Sequence, residues 1–250
     1  MLNRLRIYIL FILLPIYLLA DSSNSPMLLD SRSKANEILE NSYRYISSLP
    51  RFSFEATTIN EDLYNNMVVD VKHNIKVKLK RDAKLRIDIE GDTKNRVYYL
   101  YGKHLINYDK SIGLYADIEV PYGIDNALDY IYEYYSIETP LANILYSDIY
   151  DRLKPKVKGN YFGTTMIGRT VCDYIGFSNP KRSYQVWIAK GREPLIVKYV
   201  IIDKSSPFRL HSTTYIEWNI DKDYSDKVFK FTPKEGVYRI DIIPSKGVVK

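Results

Sequence analysis

The segment Lys72-His73-Asn74-Ile75-Lys76-Val77-Lys78-Leu79-Lys80 decides the class of fold. His73 and three aliphatic side chains alternate along it with lysine and asparagine. A period of two is typical of a β-strand that buries one face and leaves the other face in water. This segment therefore predicts a half-buried strand.

Segments with the same period lie on both sides of this strand. Short turns such as Glu90-Gly91-Asp92 separate them, and such close spacing predicts antiparallel connections. Strands are predicted at residues 85–90, 96–101, 104–108, 113–120, 159–167, 170–178, 183–190, 195–203 and 210–219.

Other stretches change to helical spacing. Residues 31–48 carry one apolar stripe and end before Pro50, so we predict a helix that lies across the sheet. Between the two groups of strands we predict one helix, a second helix with Thr139 as its cap, and a short turn at 147–153. The inward side chains of this helical insert are predicted to be Leu128, Ile131, Tyr132, Tyr135, Leu141, Ile144 and Leu145.

The order helix, strands, helices, strands predicts a single α+β domain over residues 31–250. A long antiparallel sheet must bury one face, and a few helices suffice if the sheet curves around them. We therefore predict a curved antiparallel sheet that forms a half-open barrel, with helices packed on the concave face. Such a shape often keeps an apolar cavity.

The first residues have the layout of an export signal. Arg4 and Arg6 precede an apolar run at residues 7–19, and Ala20 is followed by Asp21. This predicts a signal peptide at residues 1–20, a polar linker at 21–30 and a periplasmic location. Because Leu18 is large for a cleavage site, an uncleaved inner-membrane anchor is the alternative. No later segment reaches the ~20 consecutive apolar residues of a membrane span, so no stable span is expected after cleavage.

The residues that usually carry chemistry are sparse. Cys172 is the only cysteine, which excludes an internal disulfide, and it lies too deep in the chain to be a lipid anchor. His73, His104 and His211 have no second ligand at metal spacing, and no phosphate-binding loop or nucleophile motif occurs. We therefore predict no metal and no other cofactor.

Acidic pairs are the remaining candidates for catalysis. A hydrolase could use neighbouring carboxylates as acid and base, but in charged turns such pairs are more often solvated, so we predict no enzyme. The net charge of +6 falls to +4 without the two arginines of the signal and is spread along the chain, which does not indicate a nucleic-acid partner. The acidic pairs are Glu61 with Asp62 and Asp221 with Asp223.

Aromatic side chains on the later strands allow two interpretations. They could line a ligand cavity, or they could pack in an ordinary core. These residues are Tyr161, Phe162, Phe177, Trp187 and Trp218.

The second half of the chain carries an ordered series of motifs. In their order they resemble a bacterial family of predicted periplasmic proteins of unknown function, DUF family 2092. The match spans about half of the mature chain, and the order of the motifs is more specific than any single one. The motifs are Asp125-Asn-Ala-Leu-Asp129, Thr139-Pro-Leu-Ala-Asn-Ile-Leu-Tyr-Ser-Asp148, Tyr161-Phe-Gly163, Ile167-Gly168, Val171-Cys172, Gln185-Val-Trp-Ile188, Pro194-Leu195, Lys198-Tyr199 and Trp218.

This resemblance implies a fold and a type of function. The family is related by fold to the periplasmic carriers and sensors LolA, LolB and RseB, whose concave face takes up acyl chains or other apolar groups. A LolA-like domain that binds and does not catalyse is therefore implied. The chain departs from the family at Asp173 and Tyr174, where histidines are usual, and at Ser183 and Tyr184, which replace an acidic and aromatic pair.

Two functions follow as hypotheses. The first is a carrier-like or chaperone-like protein that binds a lipid, an acylated molecule or another hydrophobic ligand. The second is an envelope interaction or sensor protein whose concavity is filled and whose partner is another protein. The lysine row 72–80 would then be a contact surface, unless it is a solvated face or a protected strand edge. In the first hypothesis the ligand contacts are Leu128, Ile131, Tyr132, Leu141, Leu145 and Trp187.

Overall fold

The computed structural model describes residues 26–155, 159–205 and 207–245. The predicted signal peptide at residues 1–20 and the first half of the predicted linker lie outside these residues. Within them, no helix combines the length and the apolar character that a membrane crossing requires.

The described strands join in one sheet. They are β1 (Arg51–Tyr64), β2 (Met67–Lys80), β3 (Lys84–Gly91), β4 (Asn95–Tyr101), β5 (His104–Asp109), β6 (Leu114–Glu119), β7 (Gly159–Ile167), β8 (Thr170–Ser178), β9 (Arg182–Ala189), β10 (Ile196–Asp203), β11 (His211–Asn219) and β12 (Tyr238–Arg239). Their order across the sheet is β12-β6-β5-β4-β3-β2-β1-β11-β10-β9-β8-β7. Two meanders are thus joined where β1 pairs with β11.

The sheet is curved and open. Paired strands run antiparallel, except that β12 is parallel to β6, and β7 and β12 form its two edges. This confirms the predicted fold class, a large curved antiparallel sheet with a few helices. The strands β7 and β8 have the predicted bounds, because the period-two pattern ends there at clear turn signals.

Helices cover one face of the sheet, which we call the inner face. In the described part of the chain they are α1 (Pro26–Ser48), α2 (Ile124–Tyr135), α3 (Ala142–Leu145) and α4 (Ile149–Leu153). α1 packs on β7, β8 and β9. Side chains of α2 and α3 join α1 and the strands in one apolar cluster.

Two predicted helix boundaries were wrong. α1 begins at Pro26, so residues 26–30, which were predicted to belong to a linker, are helical. The second helix of the insert has four residues, and Thr139 does not cap it. Leu141 precedes this helix with a φ of 58° in the left-handed region. The chain turns sharply there, and the turn brings Ile144 and Leu145 into the core.

The strand that decided the fold lies in the middle of the sheet. β2 pairs with β1 on one side and β3 on the other, and Ile75, Val77 and Leu79 are at most 3% exposed on its inner face. The prediction of a half-buried strand is confirmed. The interpretation of the lysine row as a strand edge is wrong, since both neighbours of β2 are occupied over this segment.

The C-terminal segment covers part of the opposite face, which we call the outer face. Lys80 Nζ lies 2.9 Å from Asp223 Oδ1, and Lys84 Nζ lies 2.8 Å from Asp226 Oδ1. The ring of Phe231 packs against three tyrosines of β4, β5 and β6. The segment then pairs with β6 as β12. Part of the lysine row is therefore used within the fold.

α1 approaches β7 closely at Gly159. A Cβ atom at this position would lie 2.4 Å from Phe177 Cε1 and 2.9 Å from the Ala35 Cβ. Nearby, Ser31 Oγ lies 3.1 Å from the Tyr161 nitrogen and 3.3 Å from its oxygen. Glycine is therefore required where the helix crosses the edge strand.

We expect Gly159→Ala to lower the free energy of unfolding by about 1–3 kcal/mol, because the added methyl group overpacks this contact. The exposed neighbour Asn160 provides the control, and Asn160→Ala should change stability by no more than about 0.5 kcal/mol. Urea unfolding measures both values. Equal midpoints for Gly159→Ala and the unmodified chain would contradict the close approach of α1.

Stability should also fall at high pH because of Tyr43 on α1. Burial raises the pKa of Tyr43 to about 12 from its ordinary value of 10.0. The unfolded chain therefore ionises first, and stability falls between pH 10 and about pH 12 by at most about 1.4 kcal/mol per pH unit. In urea unfolding at pH 9 and pH 11, Tyr43→Phe should lose less stability than the unmodified chain. Equal losses would disprove the contribution of Tyr43.

Candidate functional site

The six residues predicted to contact a ligand are not brought together. Leu128, Ile131 and Leu145 are at most 2% exposed and lie in the core between helices and sheet. Leu141 is half-buried against the same core. A ligand could reach these side chains only if α2 and α3 moved off the sheet, so their contact with a ligand stays a prediction.

The other two predicted residues point elsewhere. Tyr132 is 61% exposed, so its predicted place on the inward face of α2 is wrong. Trp187 lies on the outer face, in a separate apolar cluster with Cys172 and Val200. The buried side chains of α2 are Ile124, Ala127, Leu128 and Ile131.

Trp187 belongs to a stack that runs across the strands. Its ring is parallel to that of Tyr174 within 5°, with centroids 4.4 Å apart. Lys198 Nζ lies 4.6 Å from the Trp187 ring and 4.9 Å from the ring of Tyr215. Aromatic stacking and cation–π attraction thus hold Trp187 among its own neighbours. This arrangement fits packing better than ligand binding.

The remaining aromatic candidates also divide between the two faces. Phe162 contacts the ring of Tyr174 on the outer face, whereas Tyr161 and Trp218 pack against the inner core. Phe177 lies in the inner core. Trp218 packs against the rings of Phe52 and Phe54, and its Nε1 donates to the Ile196 oxygen at 2.7 Å. Trp218 also borders a groove of about 470 Å³ whose other walls are mostly polar. The core interpretation is therefore confirmed for Phe177.

A more apolar groove opens on the inner face, at the end of the sheet where β2 begins and β5 ends. Its volume is about 540 Å³, and we call it the apolar groove. The end of α2 and the C-terminal segment form its other walls. Its lining residues are Arg96, Asn107, Asp109, Ile112, Leu114, Ala116, Tyr135, Ile137, Ile240, Asp241, Ile242 and Ile243.

Residues 240–243 form one wall of the apolar groove. The Ile240 nitrogen donates to the Tyr115 oxygen at 2.8 Å, and the Ser245 nitrogen donates to the Tyr134 oxygen at 2.6 Å. The wall is thus fixed at both ends by backbone hydrogen bonds. Ile240 is nevertheless 41% exposed and Ile243 is 91% exposed. Apolar side chains are therefore held in water along this wall.

Two of the three charged groups that line the apolar groove compensate each other. Arg96 Nε lies 3.1 Å from Asp109 Oδ2, and the Ser111 nitrogen donates to the same carboxylate at 3.0 Å. Burial raises the pKa of the neighbouring Tyr98, so its hydroxyl stays neutral. The apolar walls are therefore the main attraction that this groove offers to a ligand.

Two of the histidines and Glu61 make ordinary structural contacts. His73 Nε2 lies 2.9 Å from Thr93 Oγ1, and His104 Nδ1 lies 3.0 Å from Asp117 Oδ1. The Glu61 carboxylate accepts a hydrogen bond from the His211 backbone. Within the ranges that the structure describes, no three His, Cys, Asp or Glu side chains are grouped to hold a metal ion.

Cys172 is buried and unpaired, and burial raises the pKa of its thiol. A raised pKa lowers the fraction of reactive thiolate at neutral pH. Cys172 is therefore poorly suited to nucleophilic chemistry and packs as part of the outer-face cluster.

The apolar groove was missed by the sequence analysis. Its walls come from three distant parts of the chain, and the C-terminal wall has no clear periodicity. The one available signal was the run Ile240-Asp-Ile-Ile243. This run is apolar, yet it follows the last predicted strand and so has no obvious place in the sheet.

Comparisons with solved structures find distant neighbours. An uncharacterised conserved protein from Thermus thermophilus shares 13% identity, with 83% of this chain and 99% of that chain covered at a TM-score of 0.46. LprF from Mycobacterium bovis shares 10% identity, with 82% of this chain and 98% of that chain covered at a TM-score of 0.46. A LolA superfamily protein from Nitrosomonas europaea shares 10% identity, with 79% of this chain and 97% of that chain covered at a TM-score of 0.37. The comparison with curated protein sequences finds no match.

A family model described as predicted periplasmic protein matches residues 35–243. The match covers every described strand and all the described helices except the first turns of α1. It confirms the resemblance carried by the ordered motifs of the second half. This chain belongs to the DUF2092 family of predicted periplasmic proteins.

Proposed function

We propose that the protein binds a hydrophobic, lipid-like ligand in the apolar groove and acts as a carrier or chaperone without catalysing a reaction. The observation that supports this proposal is the composition of the groove, in which eight of the twelve lining side chains are apolar. Ligand sites are typically concave, mostly apolar and about 300–1,000 Å³ in volume. The groove, at about 540 Å³, falls within this range.

Burial of apolar surface would drive the binding. Each CH₂ group moved out of water contributes about 0.8 kcal/mol. A sixteen-carbon chain could therefore supply roughly 10 kcal/mol before the cost of ordering is subtracted. The ligand would also remove Ile240 and Ile243 from water, which adds to the favourable free energy.

A periplasmic location is consistent with this function. The family is described as predicted periplasmic, and residues 1–20 have the layout of an export signal. Acylated molecules need protection from water whenever they leave a bilayer. We therefore place the carrier between membranes, after removal of residues 1–20.

The competing function is an envelope interaction or sensor protein. It is favoured by the filling of the inner face, since Leu128, Ile131 and Leu145 already occupy the space over the central strands. In that case the apolar groove would stay empty of lipid, and an exposed surface would bind another protein.

Ile240→Asp should weaken the binding of a dansyl-labelled fatty acid at least tenfold, because a carboxylate would have to be desolvated in the groove. Val171 is the matched control, since it is 45% exposed against 41% for Ile240 and lies at the other end of the sheet. Val171→Asp should bind like the unmodified protein. Fluorescence titration measures the affinity.

Lipids extracted from the purified protein are identified by mass spectrometry as a second measurement. Two outcomes would reject the carrier function. One is a protein that contains no lipid and does not bind the dansyl-labelled fatty acid, which would favour the interaction or sensor function. The other is an equal loss of affinity in Ile240→Asp and Val171→Asp, which would place binding outside the groove.

The export signal can be tested by the mass of the protein isolated from bacteria. Cleavage after Ala20 predicts a soluble periplasmic chain that begins at Asp21. Intact mass spectrometry distinguishes it from the full chain. Recovery of the full chain in the membrane fraction would contradict cleavage and support the anchored alternative.

A further inference from the structure

The β1–β2 hairpin extends beyond its neighbours in the sheet. β1 and β2 pair continuously as far as Tyr64 and Met67. In contrast, β11 pairs with β1 only as far as Asn60, and β3 pairs with β2 only from His73 onward. Among the described strands, residues 61–71 therefore pair only with each other, and we call this segment the ribbon.

The tip of the ribbon is apolar on both of its faces. The register places Tyr64 beside Met67 on the inner side and Leu63 beside Val68 on the outer side. Their exposures are 64%, 60%, 43% and 45% in that order. A flat protein surface could cover only one of these pairs. A lipid interface, which surrounds what enters it, would cover both at once, and tyrosine suits such a boundary.

Carboxylates lie just below the apolar tip. Glu61 faces Asp70 across the two strands, a pairing of like charges that costs stability. In the described parts of the chain, neither the Asp62 nor the Asp70 carboxylate forms a hydrogen bond or an ion pair. The headgroups that complement this arrangement carry ammonium groups. Anionic phosphates without such groups would be repelled.

We infer that the ribbon binds the surface of a lipid bilayer whose headgroups carry ammonium groups, such as phosphatidylethanolamine. The four apolar side chains enter the boundary between headgroups and acyl chains. The carboxylates of Asp62 and Asp70 remain at the level of the ammonium groups. Asn65 and Asn66, at the apex with φ of 49° and 63°, form the tight polar turn that limits the depth of entry.

Vesicle flotation with equal parts of phosphatidylethanolamine and phosphatidylcholine tests this inference. The chain offers a closely matched pair of variants, because Met67 and Val68 have the same exposures, 60% and 45%, as Met166 and Val171 at the other end of the sheet. Met67→Ser with Val68→Ser should reduce partition into the vesicles at least tenfold. Met166→Ser with Val171→Ser should leave it unchanged.

A second pair of substitutions tests the contribution of the carboxylates to bilayer binding. Asp62→Asn with Asp70→Asn should weaken binding to the phosphatidylethanolamine vesicles and strengthen binding to phosphatidylglycerol vesicles, since the carboxylates attract the first headgroup and repel the second. The inference is overturned if the unmodified protein stays in solution. It is also overturned if both matched serine pairs lose binding equally, or if the Asp variants show the opposite preference.

A protein partner is the outcome to be distinguished from a bilayer. A photo-cross-linking amino acid at Val68 should label lipid in living bacteria, and labelling of one defined protein without lipid would overturn the inference.

Ligand binding in the apolar groove is tested separately from binding of the ribbon to a bilayer. The serine variant of the ribbon should bind the dansyl-labelled fatty acid normally in the absence of vesicles and unfold at the same urea concentration as its matched control. Loss of bilayer binding by the ribbon and loss of ligand binding by the apolar groove are therefore measured separately.

Discussion

The burial of one face of the long sheet is the constraint on which the rest of the structure depends. An open antiparallel sheet leaves two faces toward water, and the period-two strands make one of them apolar. α1, with 23 residues, covers the edge region formed by β7 to β9. The rest of the inner face relies on α2, with 12 residues, and on the much shorter α3, while α4 packs on α1 and α3. Apolar surface of the inner face therefore stays exposed where the helices are short.

The outer face is covered by different means on its two halves. Over β3 to β6 the C-terminal segment supplies the Asp226 carboxylate to Lys84 and the ring of Phe231 to three tyrosines. Over β8 to β11 the strands cover themselves with the stack of Tyr174, Trp187 and Lys198. Cross-strand pairs of this kind stabilise a sheet without a second layer. Trp187 is thus explained by the architecture of the outer face.

The strands could be predicted from the sequence but the candidate site could not, because the pattern of apolar residues is clear in some segments and ambiguous in others. Lysine alternates with aliphatic residues in β2, so each side chain has only one suitable face. In β9, Val186, Trp187 and Ile188 are all apolar, so alternation could not decide which face the tryptophan occupies. In α2 the buried set begins with Ile124 and Ala127. These two residues rotate the inward face away from Tyr132.

The apolar groove and the ribbon lie at the same end of the sheet, and a single cause explains both positions. The inner stripe of β2 continues through Val71 and Val69 to Met67, past the region where α2 and α3 reach the core. At this end each apolar side chain has fewer neighbours, so local opening there costs less than opening of the core. The buried centre, with Val77 and Leu79, can stay closed while this end changes its contacts. Under the proposed carrier function, an apolar ligand would exchange at this open end while the sheet that carries it stays folded.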